Sequence, residues 1–131
     1  DLGNLALNIT ISNFTPKPHT PFQWYSVSTS EFGRSSTEDN TNGRSHNAKA
    51  MSAWFAGGAI KGGTAYGATD AIGNSAAENR QHVKDLHATV LHTLGFDHEK
   101  LTFQSGGREM RLTEPTRKKP DGGQAINGIL A

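Results

Sequence analysis

Helical periodicity between His82 and His98 constrains the fold of this chain more than any other feature. Val83, Leu86, His87, Val90, Leu91 and Leu94 recur at i, i+3, i+4 and i+7, which places them on one face of a helix and predicts that this face is buried. Four of the six histidines fall inside the same stretch, so a metal site has to be considered. His87 and His92 are five residues apart, about 140° around a helix, and cannot close on one ion as an i, i+4 pair would. Asp85 reads as the N-cap, which leaves Val83 in the incoming chain and predicts a short helix near 85–94. Gly95 suits the left-handed position after the last turn, with Phe96 placed to pack back on Leu91.

The other segments read as short strands between long loops. Leu5, Leu7, Ile9 and Ile11 alternate with polar or small residues and predict a half-buried strand, followed by an extended connector at Pro16, Pro18 and Pro21. Trp24 to Thr29 is rich in aromatic, β-branched and hydroxyl residues and predicts a second strand, which stops at Ser30 to Arg34. Residues 35–47 are almost wholly polar and predict a surface loop. Ala50 to Ala56 predicts a further strand, closed by Gly57 and Gly58. Beyond the helix, Leu101 and Phe103 match Met110 and Leu112 across Ser105, Gly106 and Gly107, which predicts a hairpin near 101–113 with one apolar face. Thr113 to Gly123 has the composition of a solvated linker, and Ala125 to Leu130 can form a final helical turn that docks.

Length and composition bound the function classes. A chain of 131 residues supports one ordinary domain. Thirteen basic against twelve acidic residues leave a formal charge of +1, which gives neither a nucleic-acid footprint nor an anionic-membrane binder. With no cysteine, thiolate metal sites and disulfides are excluded, so a metal would need His and carboxylate ligands. No run of 18 apolar residues is present for a membrane span. The glycines at 62, 63 and 67 match neither phosphate-binding fingerprint and read as backbone geometry.

Three groups compete for chemistry. Glu31, Arg34, Arg44 and His46 lie on two consecutive loops; a carboxylate and an imidazole can share a divalent metal while guanidiniums bind an anion bidentately. The plainer reading of Glu31 and Arg34 is a charged turn. His87 and His92 lie on the helix, where a lone histidine is more often a core residue satisfied by one hydrogen bond than a ligand. Asp97 and His98 follow the helix, where they are either neighbouring ligands or ordinary surface residues.

These motifs, taken in order, resemble a known family. Thr29 to Arg34, Gly43 to Asn47, Trp54 with Ala56 to Gly58, Ile60 to Gly63 and Tyr66 to Asp70 look like the carboxyl-terminal part of the domain of unknown function 1501 family. The resemblance continues through Glu78 to Arg80, His82 to Asp85, His87, His92, Gly95, Asp97, His98 and Gly107 to Thr113, with an echo at Ile129 to Ala131. Members are bacterial, sulfatase-like proteins that resemble the alkaline phosphatase superfamily. On this reading residues 1–23 are a poorly matched N-terminal segment, 24–113 a sulfatase-like C-terminal domain fragment, and 114–131 a linker and C-terminal tail.

The resemblance implies an α/β fold, a carboxyl-terminal fragment of a mixed sheet with a metal site at its strand ends, where sulfate or phosphate esters of small molecules or glycans are hydrolysed. It implies a divalent metal (zinc, calcium, magnesium or manganese), with His46 and Glu31 as ligands and Arg34 and Arg44 offsetting the anion. Asp85, His87, His92, Asp97 and His98 match as family signature. It also suggests an exported or periplasmic setting. Three departures follow. Ser45 stands where members usually carry Asp, and Glu31 and Phe32 fall where many place an Asp, His pair, so a second metal's nitrogen ligand has no counterpart there. The family's early segments, with the first metal-binding aspartate and the nucleophile region, have no match. The chain is therefore expected to be a fragment or truncated product, inactive in isolation or completed by a missing half or partner chain, with a metal- or anion-binding module or pseudoenzyme fragment as the alternative.

Overall fold

A computed structural model of the chain describes residues 7–11, 25–37, 43–115 and 120–131. Among these the architecture is mixed α/β, with small sheets and one α-helix. The chain divides into two compact units, Asp1–Arg80 with Gly128–Ala131, and Gln81–Asn127.

The first unit is built on β5 (Met51–Gly57), the longest strand. Met51, Ala53, Phe55 and Ala56 are buried and Ser52 is exposed, close to the alternation that a strand with one buried face requires. β1 (Leu7–Ile11) pairs with it in parallel from Leu7↔Met51 to Ile11↔Phe55. β2 (Tyr25–Thr29) pairs with it antiparallel from Tyr25↔Gly57 to Thr29↔Ala53, so the order is β1-β5-β2. The strands expected around Leu7–Ile11, Tyr25–Thr29 and Met51–Ala56 are therefore present; Leu5, Trp24 and the proline connector lie outside the described residues.

Two ribbons complete this unit. β3 (Gly33–Arg34) pairs antiparallel with β4 (His46–Asn47), so the polar stretch 35–47, expected as a surface loop, follows one strand of a short ladder and ends in the other. β6 (Ala68–Thr69) pairs with β7 (Ala76–Glu78). The chain terminus returns to the unit through Lys61 N–H to Ile129 O at 2.8 Å and Ala131 N–H to Ala59 O at 3.1 Å, with the fully buried Ile129 as its anchor.

In the second unit the helix α1 spans Val83–Thr93, and its N-cap is His82 rather than Asp85. The His82 ring Nδ1 accepts from Lys84 N–H at 3.1 Å, while the Asp85 carboxylate reaches back to accept from His82 N–H at 2.7 Å. This is a capping box with Asp85 at its third helical position, and it draws Val83 into the helix. At the other end Gly95 is left-handed at φ 83°, as expected, with Gly95 and Phe96 N–H groups donating to His92 and Leu91 carbonyls; Phe96 itself is 51% exposed.

The burial of α1 corrects the periodic reading. Asp85, Leu86, Ala88 and Thr89 are buried, whereas His87 is exposed and Leu94 is 49% exposed. The cause is the segment Gly122–Ile126, which lies along the polar side of the helix. Gln124 N–H donates to Asp85 Oδ1 at 2.8 Å, Ile126 N–H donates to Thr89 Oγ1 at 2.8 Å, and Thr89 Oγ1 donates to Asp85 O at 2.6 Å. Two polar side chains one helical turn apart thus hold a strap of backbone. Gly122 and Gly123, read as part of a solvated linker, are the buried start of this strap, and a Cβ on Gly123 would stand 2.4 Å from the Lys84 carbonyl.

β8 (Phe103–Ser105) and β9 (Arg108–Met110) form the expected hairpin, with Phe103 opposite Met110. Gly106 and Gly107 take φ 59° and 76°, the two positive values that a type I′ turn needs. The ladder is shorter than the stretch 101–113, and its apolar residues Leu101, Phe103 and Leu112 are exposed.

Candidate functional site

The first unit carries a cleft of about 650 Å³, a volume in the range of small-molecule sites. One wall is the turn from Ser30 to Arg34, the floor is Ala50 to Ser52 at the start of β5, and the far side is Thr69 and Gly73. Gly33 allows this assembly, because a Cβ at that position would stand 1.8 Å from the Ala50 carbonyl oxygen. The wall therefore packs its backbone directly on the floor, and Glu31 and Arg34 flank the point of closest approach.

Glu31 lines the cleft, is exposed, and has no hydrogen-bond or ion-pair partner among the described residues. Arg34 also lines it, with its guanidinium carbon 5.4 Å from the centre of the Phe32 ring. Within β3 and β4 Arg34 faces His46 across the ladder, and the His46 ring is stacked on Phe32 with centroids 3.7 Å apart and planes inclined by 25°. Arg34 NH1 donates to the Arg44 carbonyl at 3.0 Å, and Arg44 NH1 donates to the Ser35 carbonyl at 3.0 Å. Each guanidinium is thus aimed by one bond to backbone. Neither meets a carboxylate among the described residues, where the ion pair present is Lys100 with Asp97. A guanidinium has five N–H donors, so most of the donor capacity of both arginines is open to an anion.

Of the residues singled out in the sequence, Glu31, Arg34 and His46 occupy one turn and one ribbon, with Arg44 on the approach to β4; Glu31 and Arg34 line the cleft, and Arg44 and His46 are not among its lining residues. Phe32 is the residue that local reading missed: its ring carries both His46 and Arg34. Ser52 and Thr69 also enter the cleft, Ser52 through strand alternation that the sequence does show, and Thr69 through a return of the chain that it does not.

A divalent metal fits this arrangement only in part. Glu31 and His46 offer two donors where four are usual for a tetrahedral centre. Among the described residues no three His, Asp or Glu groups gather closely enough to hold an ion. Glu31 lines the cleft while His46 is turned onto Phe32. The described residues do not by themselves form a metal centre.

The second unit holds the remaining candidates in separate internal bonds. Asp85 is 2% exposed and caps the helix and the strap, as above. His98 Nδ1 lies 3.1 Å from Thr113 Oγ1, whose hydroxyl is also 3.1 Å from the His98 carbonyl oxygen. Asp97 accepts from Glu99 N–H and pairs with Lys100 at 2.7 Å, and the Lys100 hydrogen bond holds its pKa below the usual carboxylate value. Asp97 and His98, adjacent in sequence, therefore turn to different partners. His92 is exposed. His87 is exposed as a whole residue, yet partial desolvation of its ring, followed by the like charge of Lys84, lowers its pKa from 6.5. No helix among the described residues is long and apolar enough to cross a membrane.

Comparison with known proteins gives one assignment. A family model described as a protein of unknown function (DUF1501) matches residues 26–121. No curated protein and no solved structure matches the chain significantly. The matched segment covers both the cleft residues and the capped helix, and it amounts to well over half of the 131 residues. The chain belongs to the DUF1501 family.

Proposed function

We propose that this chain forms one side of the site of a sulfatase-like hydrolase of sulfate or phosphate esters, in a fold of the alkaline phosphatase type, and that alone it binds the anion without turning it over. The observation that carries this reading is the pair of arginines. Arg34 and Arg44 are each aimed by a backbone carbonyl and meet no carboxylate among the described residues; Arg34 lines a cleft of ligand size, and Arg44 is tied to it through the bond from Arg34 to the Arg44 carbonyl. In such a site they would hold the ester anion and offset charge that develops on its oxygens. Glu31 sits on the same rim as Arg34, and a carboxylate repels an anion unless a cation lies between them. A divalent metal bound with Glu31 and His46 among its ligands would supply that charge and polarise the ester oxygen. The rest of its ligands, and the nucleophile, would come from outside the described residues.

Calorimetric titration with inorganic sulfate and phosphate, with and without Zn²⁺ or Mn²⁺, tests the reading. Saturable binding that is lost in Arg34→Ala is expected, with no hydrolysis of aryl sulfate or aryl phosphate esters. Absence of binding under every metal condition would rule out the anion site. Turnover that disappears in His46→Ala would overturn the claim of inactivity.

A further inference from the structure

We infer that Asn47 is the positioning residue of the cleft, fixing the distance between its two walls and hence its selectivity among anions; the effect on anions rests on the function proposed above. Asn47 is a polar residue only 7% exposed, next in sequence to His46 and opposite Gly33 in the β3–β4 ladder. Its backbone therefore belongs to the wall that carries Glu31 and Arg34. Its side chain belongs to the other wall. Asn47 Nδ2 donates to the Asn74 carbonyl at 2.9 Å, and Asn47 Oδ1 accepts from Lys49 N–H at 2.9 Å. The partners are a carbonyl and an N–H, so the amide orientation is set by chemistry, and both ends of the group are engaged.

The loop that Asn47 grips is braced within itself. Asp70 Oδ1 accepts from Asn74 N–H at 2.7 Å, Gly73 N–H donates to the Asp70 carbonyl at 3.0 Å, and Asp70 N–H donates to Ser75 O at 2.9 Å. Residues 70–75 thus move together. A backbone bond from Ala76 N–H to Lys49 O at 3.0 Å fixes the exit of the loop, which leaves its tip, with the cleft residue Gly73, held by the Asn47 amide. Losing that amide lets Gly73 withdraw from Arg34, while Thr69, paired with Ala76 in the β6–β7 ribbon, and the β5 floor stay in place. A wider cleft penalises a compact anion more than a bulky one.

The test compares wild type with Asn47→Ala and with Asn47→Leu, which keeps similar volume but has neither donor nor acceptor. Affinities for inorganic sulfate and for an aryl sulfate are measured by calorimetry, and amide hydrogen exchange is followed at Gly73, Asn74 and the β5 strand. Both variants are expected to lose about tenfold in sulfate affinity and distinctly less for the aryl ester, the scale of one lost buried hydrogen bond. Exchange should accelerate at Gly73 and Asn74 and not in β5. Unchanged affinities, or equal losses for both anions, would overturn the inference. Should wild type bind neither anion, the proposed function fails, and the exchange data decide alone: local acceleration upholds Asn47 as the tie between the walls, and unchanged or uniformly faster exchange removes it.

Discussion

Asp85 and Glu31 are both carboxylates beside the end of a regular element, and their surroundings differ in kind. Asp85 is buried in the Gln81–Asn127 unit and accepts backbone N–H groups from His82 and Gln124. Glu31 stands on the rim of a cleft in the other unit with no partner among the described residues. The bases differ in place more than in number of bonds: Lys84 donates to Glu114 O, Arg111 makes a single bond to Glu99 O and His98 meets Thr113, all within the Gln81–Asn127 unit. Arg34 and Arg44 each make one aiming bond and keep the remaining N–H groups of their guanidiniums. A side chain whose hydrogen-bonding capacity is met internally serves the fold, and one that is oriented but unsatisfied beside a cavity is placed for a ligand.

The largest test of this contrast removes each carboxylate in turn. Asp85→Ala should destabilise the chain by about 3 kcal/mol, because the buried His82 N–H and the half-buried Gln124 N–H lose their acceptor. Glu31→Ala should fall within about 0.5 kcal/mol of wild type. Urea denaturation measures both, and equal effects would erase the distinction. Next come two glycines of the first unit. Gly33→Ala should cost about 2 kcal/mol or more, since its Cβ would stand 1.8 Å from the Ala50 carbonyl oxygen, whereas Gly43 has nothing within 4 Å and Gly43→Ala should be nearly silent. A silent Gly33→Ala would mean that the cleft wall does not rest on its floor as described.

The smallest effect concerns His87. Its folded-state pKa lies below 6.5, so the unfolded chain takes up the proton first. The stability linked to the neutral ring is complete above pH 6.5 and is lost as pH falls through the folded-state value. His87→Leu removes that dependence, and its melting temperature relative to wild type should rise by a small amount between pH 7 and pH 5. Exposure of the residue screens the effect. A relative melting temperature that falls toward acid would contradict it.

The sequence made some of this legible and hid the rest for physical reasons. The capped helix, the Gly106–Gly107 hairpin and the strand at Met51 are local patterns, and each is present. The identity of the helix cap was misread because His is an uncommon cap, and Asp85 fills the reciprocal place in a capping box. The buried face of α1 was misread because the covering segment, Gly122–Ile126, comes from some forty residues downstream and binds polar side chains, a pairing that apolar periodicity cannot register. In the cleft, residue type pointed to Glu31, Arg34, Arg44 and His46. The stacking of His46 on Phe32 and the arrival of Thr69 and Gly73 depend on non-local packing, which spacing does not encode.

The most direct measurement is an NMR titration of the ¹⁵N-labelled chain with inorganic sulfate, with and without Zn²⁺, following backbone amides and arginine side-chain N–H groups in both units. Saturable shifts confined to residues 30–34, 44–52 and 69–74, together with the Arg34 and Arg44 side chains, are the predicted result. Shifts centred on Lys84, Lys100 or Arg111, or none that saturate, would contradict the assignment of the cleft as the place where this chain meets its ligand.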